Sequence, residues 1–299
     1  MSGTESPVSG PEVVIRDGRR LCYEQIGDPL GAPVLVLHGT PGSRLSGLHA
    51  RRDRVAEAGL RVISHDRPGY GGSSRHPGRR VVDCVGDIAA IADQLGLDRF
   101  AVSGGSGGGP HALAAGARLA GRVTIAACHV GAAPYDAPDL DWFDGMDPVN
   151  VRELGWALAG EETLAAELAR EARNMLDRLE QDPAALLEDI ELAASDRTVL
   201  ERPDVRETLS ASTREAFSHG VSGWVDDDLA FVAPWGFEVE EITVPVEVRY
   251  GEGDVLVPAA HGRWLATHIP GASVTVDRDR GHLSTPDEQL ERLRALVVD

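Results

Sequence analysis

A serine, an acid and a histidine, the residue types of an acyl-transfer centre, stand in this chain where a sheet would bring them to one edge. Ser106 lies in Gly104-Gly105-Ser106-Gly107-Gly108, directly after the apolar run Phe100-Ala101-Val102 and before the small-residue run Gly109-Pro110-His111-Ala112-Leu113-Ala114-Ala115. That pattern reads as strand, tight turn, helix. A serine at the tip of such a turn takes a strained backbone, and its neighbours need almost no side chain, which the glycines two before and two after provide. The hydroxyl is then exposed at a helix N-terminus. Because a serine hydroxyl is a poor nucleophile at neutral pH, a base must take its proton and an acid must orient the base. Asp254, in Tyr250-Gly251-Glu252-Gly253-Asp254, follows an apolar run, with Glu252 two residues away as the rival acid. His282, in Arg280-Gly281-His282-Leu283, follows the last apolar run and precedes the closing helix; with 10 histidines in the chain, its position rather than its type singles it out.

The negative oxygen of an acyl-transfer intermediate needs backbone N–H groups aimed at it. Gly107, the residue after the serine, supplies one. The other is expected from the loop after Val34-Leu35-Val36-Leu37, which reads His38-Gly39-Thr40-Pro41-Gly42-Ser43. Thr40 is the donor in this reading, because Pro41 has no N–H and Gly39 is needed for the bend. His38 reads as a structural histidine bonded to loop backbone and His111 as a packing residue. Arg67 is expected to brace its loop, His65 to pack, and Asp277 and Asp279 to be solvated.

The elements that must position these residues alternate along the chain. Glu12–Ile15 and Leu21–Gln25 flank Asp17-Gly18, a hairpin signal. Pro33–Leu37, Arg61–Ser64, Phe100–Ser103, Val123–Ala127, Val244–Tyr250 and Ala272–Val276 are short apolar runs suited to strands buried on both faces of a mostly parallel sheet. Val81, Cys84, Val85, Ile88, Ile91, Ala92 and Leu95 recur at helical spacing, which makes Cys84 a core residue. Thr285-Pro286-Asp287-Glu288 is a capping box that opens a closing helix with Leu290, Leu293 and Val297 on one stripe. Between Pro134 and Glu241 the alternation breaks: no good strand appears, Leu164, Leu168, Ala172, Met175 and Leu179 form a helical stripe, and Asp182-Pro183 opens another helix. Four of the 5 tryptophans (Trp142, Trp156, Trp224, Trp235) fall there, as an apolar pocket roof would require. Asp226-Asp227-Asp228 in the same segment reads as a solvated face.

At 299 residues and 42% hydrophobic the chain can bury a full core. Lys and Arg number 29 against 48 Asp and Glu, a net charge of −19 that repels phosphate backbones and anionic lipid, so neither nucleic acid nor membrane is expected as a partner. Residues 1–10 read as a loose tail rather than a signal peptide, and no run of about 18 apolar residues exists to span a bilayer. Cys22, Cys84 and Cys128 are too few and too scattered for a disulfide framework or a zinc site. These features point to a cytoplasmic protein; monomer and homodimer both stay open.

His38-Gly39-Thr40-Pro41-Gly42, the run His65 to Ser74, the Gly104–Gly108 elbow, the turn around Asp254 and Gly281-His282 together resemble the α/β-hydrolase fold superfamily from about Pro11 onward. The resemblance implies an α/β fold with eight mostly parallel strands flanked by helices, a core domain of residues 11–133 and 242–299, a helical cap over 134–241, and no cofactor. It also implies the chain order Ser106, Asp254, His282 for the triad, favours Asp254 over Glu252, and leaves Asp136 as a substitute acid, since some relatives place the acid after the sixth strand. A serine at the elbow argues against the dehalogenase and epoxide hydrolase branches. The carboxylesterase, lactonase and proline-iminopeptidase branches are the most similar, which points to a serine hydrolase of small carboxylic esters or lactones. Cleavage of aminoacyl amides or carbon–carbon bonds, a lyase reaction, or ligand binding by a vestigial triad are the alternatives, with Asp139, Asp141 and Asp144 placed to receive a substrate amine.

Overall fold

The computed structural model describes residues 11–14, 17–182 and 186–297. The expected loose tail, the end of the first strand at Ile15 and the helix start at Pro183 lie outside the described residues. Eight strands, β1 (Glu12–Val14), β2 (Arg20–Gly27), β3 (Ala32–Leu37), β4 (Leu60–His65), β5 (Phe100–Gly105), β6 (Val123–His129), β7 (Val246–Gly251) and β8 (Ser273–Asp277), form one sheet in the order β1-β2-β4-β3-β5-β6-β7-β8. The two pairings made by β2 are antiparallel and the rest are parallel. The hairpin at Asp17-Gly18 forms, with Gly18 at φ +84° and Glu12 opposite Cys22.

Helices α1 (Arg52–Glu57), α2 (Cys84–Gln94) and α3 (Gly108–Arg118) connect β3 to β4, β4 to β5 and β5 to β6 in turn. α3 packs along β5 and β6 so closely that only small residues fit: a Cβ at Gly109 would meet the Cys128 sulfur, and one at Gly116 the Cβ of Ala126. The expected stripe from Val81 splits into a 3₁₀ turn, Val81–Asp83, followed by α2, with Cys84, Ile88, Ile91 and Ala92 buried. Between β6 and β7 lie α4 (Pro148–Ala159), α5 (Glu161–Gln181), α6 (Ala194–Leu200), α7 (Pro203–Ala216) and α8 (Ser222–Phe231), and no strand among the described residues. α9 (Ala259–His268) joins β7 to β8, and α10 (Pro286–Ala295) closes the chain. Its capping box is complete: Thr285 Oγ1 accepts from the Glu288 N–H at 3.2 Å and Glu288 Oε2 from the Thr285 N–H at 2.8 Å.

One strand departs from the reading of runs buried on both faces. β8 is the edge of the sheet, and its Val274 and Val276 are 45% and 38% exposed. In the parallel part of the sheet, Leu37 is level with Gly104 and Gly105 with His129, so the loops after β3, β5, β7 and β8 emerge together at the carboxyl edge.

Candidate active site

The elbow is held by packing of backbone on backbone. Ser106 is in the left-handed region, φ 52°, which a non-glycine residue keeps only when its surroundings enforce it. Here they do: the Ser106 N–H donates to His129 O at 2.9 Å and the Gly109 N–H to Ser106 O at 2.8 Å. Side chains are barred on either side, since a Cβ at Gly104 would run into the Gly108 carbonyl and one at Gly108 into the Leu37 carbonyl.

The loop after β3 comes to the elbow from the other side. A Cβ on Gly107 would lie 2.8 Å from Thr40 Cβ, so the two expected oxyanion donors belong to touching residues. Neither N–H donates a hydrogen bond among the described residues, which leaves both free to point at a ligand oxygen. His38 is structural, as read: it is buried, the Arg67 N–H donates to its Nε2 at 3.1 Å, and Nδ1 lies 2.7 Å from Gly39 O. With Nε2 accepting, Nδ1 carries the proton and donates. Burial and then Arg67 hold His38 well below the usual histidine range, and burial pushes His65 down to about 3. Arg67 braces the loop through the carbonyls of His38 and Gly39 and through Thr40 Oγ1, at 2.8 Å.

What the sequence reading missed is the anchor behind that brace. Asp226, Asp227 and Asp228, expected to be solvated, are 2%, 0% and 1% exposed. Successive residues of a helix point about 100° apart, and each aspartate meets a different partner. Asp226 pairs with Arg75 at 2.8 Å. Asp227 pairs with Arg67 at 2.6 Å and Arg79 at 2.7 Å, and accepts from Tyr70 OH at 3.0 Å and Thr40 Oγ1 at 2.7 Å. Burial works against its charge, but the two guanidiniums outweigh that and hold the carboxyl well below the usual range. Asp228 pairs with Glu153 of α4, described below. The legible signal was on the other side: Arg67, Arg75 and Arg79 crowd the one loop after β4.

His282 and Asp254 meet as expected. His282 Nδ1 lies 2.8 Å from Asp254 Oδ2, and Asp254 Oδ1 accepts from the N–H groups of Leu256 and Val257, both at 2.9 Å. Burial opposes the imidazolium, but the charge and hydrogen bond of Asp254 prevail and raise the His282 pKa above 6.5. Glu252 and Asp136 are exposed and take no part. A second missed residue holds this loop: Asp196 of α6 accepts from the N–H groups of His282 and Leu283, both at 2.9 Å, and Ser195 Oγ accepts from Gly281 N–H at 3.0 Å. Of the flanking acids, Asp279 is exposed, whereas Asp277 pairs with Arg249 at 2.8 Å.

Two cavities meet at Ser106. The larger, about 270 Å³, is lined by His282, Gly39 and Arg44 and by Val199, Val205 and Leu209 of α6 and α7. The smaller, about 70 Å³, lies against Thr40 and Gly107 under Trp142 and Phe231. No hydrogen bond joins Ser106 Oγ to His282; such bonds are often long before substrate binds. The aromatic residues divide between roof and interior: Trp142 and Phe231 face the small cavity, Phe217 and Trp224 stack at 5.5 Å within the β6–β7 segment, and Trp235 and Phe237 join the sheet core. Asp139, Asp141 and Asp144, expected to receive an amine, are exposed and line neither cavity. The acids that do reach the smaller one are Glu153 and Asp228.

The family profile described as alpha/beta hydrolase fold matches residues 32–289. The chain therefore belongs to that family. It is 30% identical over 289 residues to a rhodomycin D methylesterase from Streptomyces sp., covering 90% of this chain and 91% of that one. It is 38% identical over 104 residues to a proline iminopeptidase from Xylella fastidiosa, a match spanning 33% of this chain and about a third (32%) of that protein's length. Among solved structures, an enol-lactonase from Burkholderia xenovorans superposes with a TM-score of 0.66 at 24% identity, over 96% of this chain and 98% of that one, a likeness of fold alone.

Proposed function

We propose that this chain is a serine hydrolase that cleaves a small carboxylic ester or lactone in two steps through an acyl-enzyme. Ser106 Oγ attacks the carbonyl carbon and passes its proton to His282 Nε2. Asp254 holds the opposite ring nitrogen and stabilises the imidazolium, while the N–H groups of Thr40 and Gly107 hold the oxyanion. His282 then protonates the departing alcohol, and water repeats the sequence to release the acid. The β6–β7 segment serves as the cap over this site. The observation that carries the reading is that His282, paired with Asp254, lines the same cavity as a serine held at φ 52°. The full-length similarity to a methylesterase supports an ester over an amide.

The test is the intact mass after exposure to a fluorophosphonate, in the parent and in Ser106→Ala, followed by turnover of esters, lactones and aminoacyl amides. A single adduct lost in the variant, with ester or lactone turnover, is expected. Absence of an adduct in folded parent protein, or turnover of aminoacyl amides only, would overturn the reading.

A further inference from the structure

The smaller cavity carries a feature that triad chemistry does not use. Asp228 and Glu153 face each other there with their carboxyl groups hydrogen-bonded, an arrangement that requires a shared proton. Trp224 Nε1 donates to Glu153 Oε1 at 2.8 Å, so Glu153 is the favoured carboxylate and Asp228 the favoured acid. Burial is the first cause in both: it pushes Glu153 up to about 7 and Asp228 well above the carboxylate range. Asp228 is 1% exposed, and its Oδ2 has no partner. The shared proton occupies one oxygen. The other is a buried acceptor on a cavity wall with nothing to accept from, at a cost of about 1–3 kcal/mol that a donor on a ligand would remove.

Which part of a substrate reaches it follows from the proposed reaction, on which this inference rests. His282 must protonate the leaving group, so the alcohol portion occupies the larger cavity, which His282 lines. The acyl portion then extends past Thr40 and Gly107 into the smaller one. At about 70 Å³ against about 270 Å³ for the larger cavity, it is the tighter of the two and suits the shorter portion of a substrate. We propose that the smaller cavity is the acyl subsite and that Asp228 accepts a hydrogen bond there from a neutral hydroxyl group, so that the enzyme prefers short hydroxyacyl esters.

A hydroxyl fits this wall better than an ammonium for three reasons. Apart from Thr40, Ser106 and Asn150, the side chains on the remaining surface are apolar, Trp142, Leu154, Phe231 and Leu256 among them, and return little of the hydration a cation loses. Arg79, close enough to Asp228 to oppose its rise in pKa, repels a cation. And the pair already holds a proton that a cation would have to displace. The other charges felt by the pair are those of Asp227 on the same helix, Arg152 of α4 and Glu171 of α5.

The test compares kcat/KM for the para-nitrophenyl esters of butyrate, β-hydroxybutyrate and β-aminobutyrate. The parent is expected to favour the hydroxy ester by about tenfold over either of the others. In Asp228→Leu the hydroxy-to-plain ratio should fall to about one; in Asp228→Asn, whose amide can donate to Glu153 and keep an oxygen for the ligand, it should persist. A parent that prefers the amino or plain ester, or a ratio unchanged in Asp228→Leu, overturns the proposal, and the rank order in the parent needs no variant to fold. Calorimetric titration of Ser106→Ala with β-hydroxybutyramide and butyramide separates this idea from the esterase reading. Tighter binding of the hydroxyamide by a protein whose parent turns over no ester would sink the reaction and keep the subsite. Equal binding would overturn the subsite even in an active esterase.

Discussion

The elbow and the two loops that face it are built in different ways. The elbow is made by a contiguous stretch, β5 through the start of α3, whose geometry follows from which residues lack a Cβ. The oxyanion loop and the histidine loop depend on side chains from the β6–β7 segment: Asp227 reaches Thr40 and Arg67, and Asp196 reaches the backbone of His282 and Leu283. The nucleophile is placed by close packing of backbone on backbone, whereas its partners are placed by charged side chains distant in sequence. Damage to the first should abolish chemistry in a folded protein. Damage to the second should cost stability and geometry together.

The largest effect should come from the reacting groups. Ser106→Ala or His282→Ala should lower kcat by about 10⁴–10⁶, leaving at most about 10³-fold over water, and Ser106→Ala should do so with an unchanged melting temperature. Near-normal turnover in either would break the mechanism. Next, log kcat/KM should fall with unit slope toward acid, through a midpoint above 6.5, because His282 must be neutral to act as base and Asp254 raises its pKa. Asp254→Asn should move that midpoint down, and a profile flat to pH 4 would exclude a histidine base. For stability the sign is opposite. A raised folded pKa favours the protonated fold, so the pair's contribution is complete below 6.5 and fades as pH rises through the folded value.

Asp227→Asn should test the electrostatic half of the comparison, since it leaves Arg67 and Arg79 buried without a counter-charge. A loss of about 3–5 kcal/mol is expected, read as a fall in melting temperature of roughly 10 °C. Asp196→Ala should sharpen the contrast further. It strips the acceptors from two N–H groups at about 1–3 kcal/mol each, and should lower kcat by about 10–100-fold with little change in KM as His282 drifts. An unaltered kcat would mean that α6 merely covers the loop. The smallest effect, within about 0.5 kcal/mol and with no change in rate, is expected for Asp139→Asn on the exposed surface.

How much of this was legible in the sequence follows the same division. Ser106 with its glycines, the capping box at Thr285 and the Cys84 stripe are local patterns whose physics is complete within a few residues, and the structure contains each one. The partnership of His282 with Asp254 was legible through order and position along the chain. Asp196, Glu153 and the three aspartates of α8 were not, because a charge run in one sequence carries no mark of the cations it will meet. Arg67, Arg75 and Arg79 lie about 150 residues before their partners, and only the fold brings them together.

The anchoring of Thr40 and His282 by Asp227 and Asp196 also bears on how such enzymes can be recombined. A roof over a pocket looks exchangeable, a module that could be transplanted between scaffolds to change what enters. Here the transplant carries an obligation. A foreign segment without carboxylates at these two places would strand two arginines and two amide N–H groups inside the host. Diversification of this chain therefore proceeds more readily by changing the cavity-facing residues of the resident segment than by replacing it.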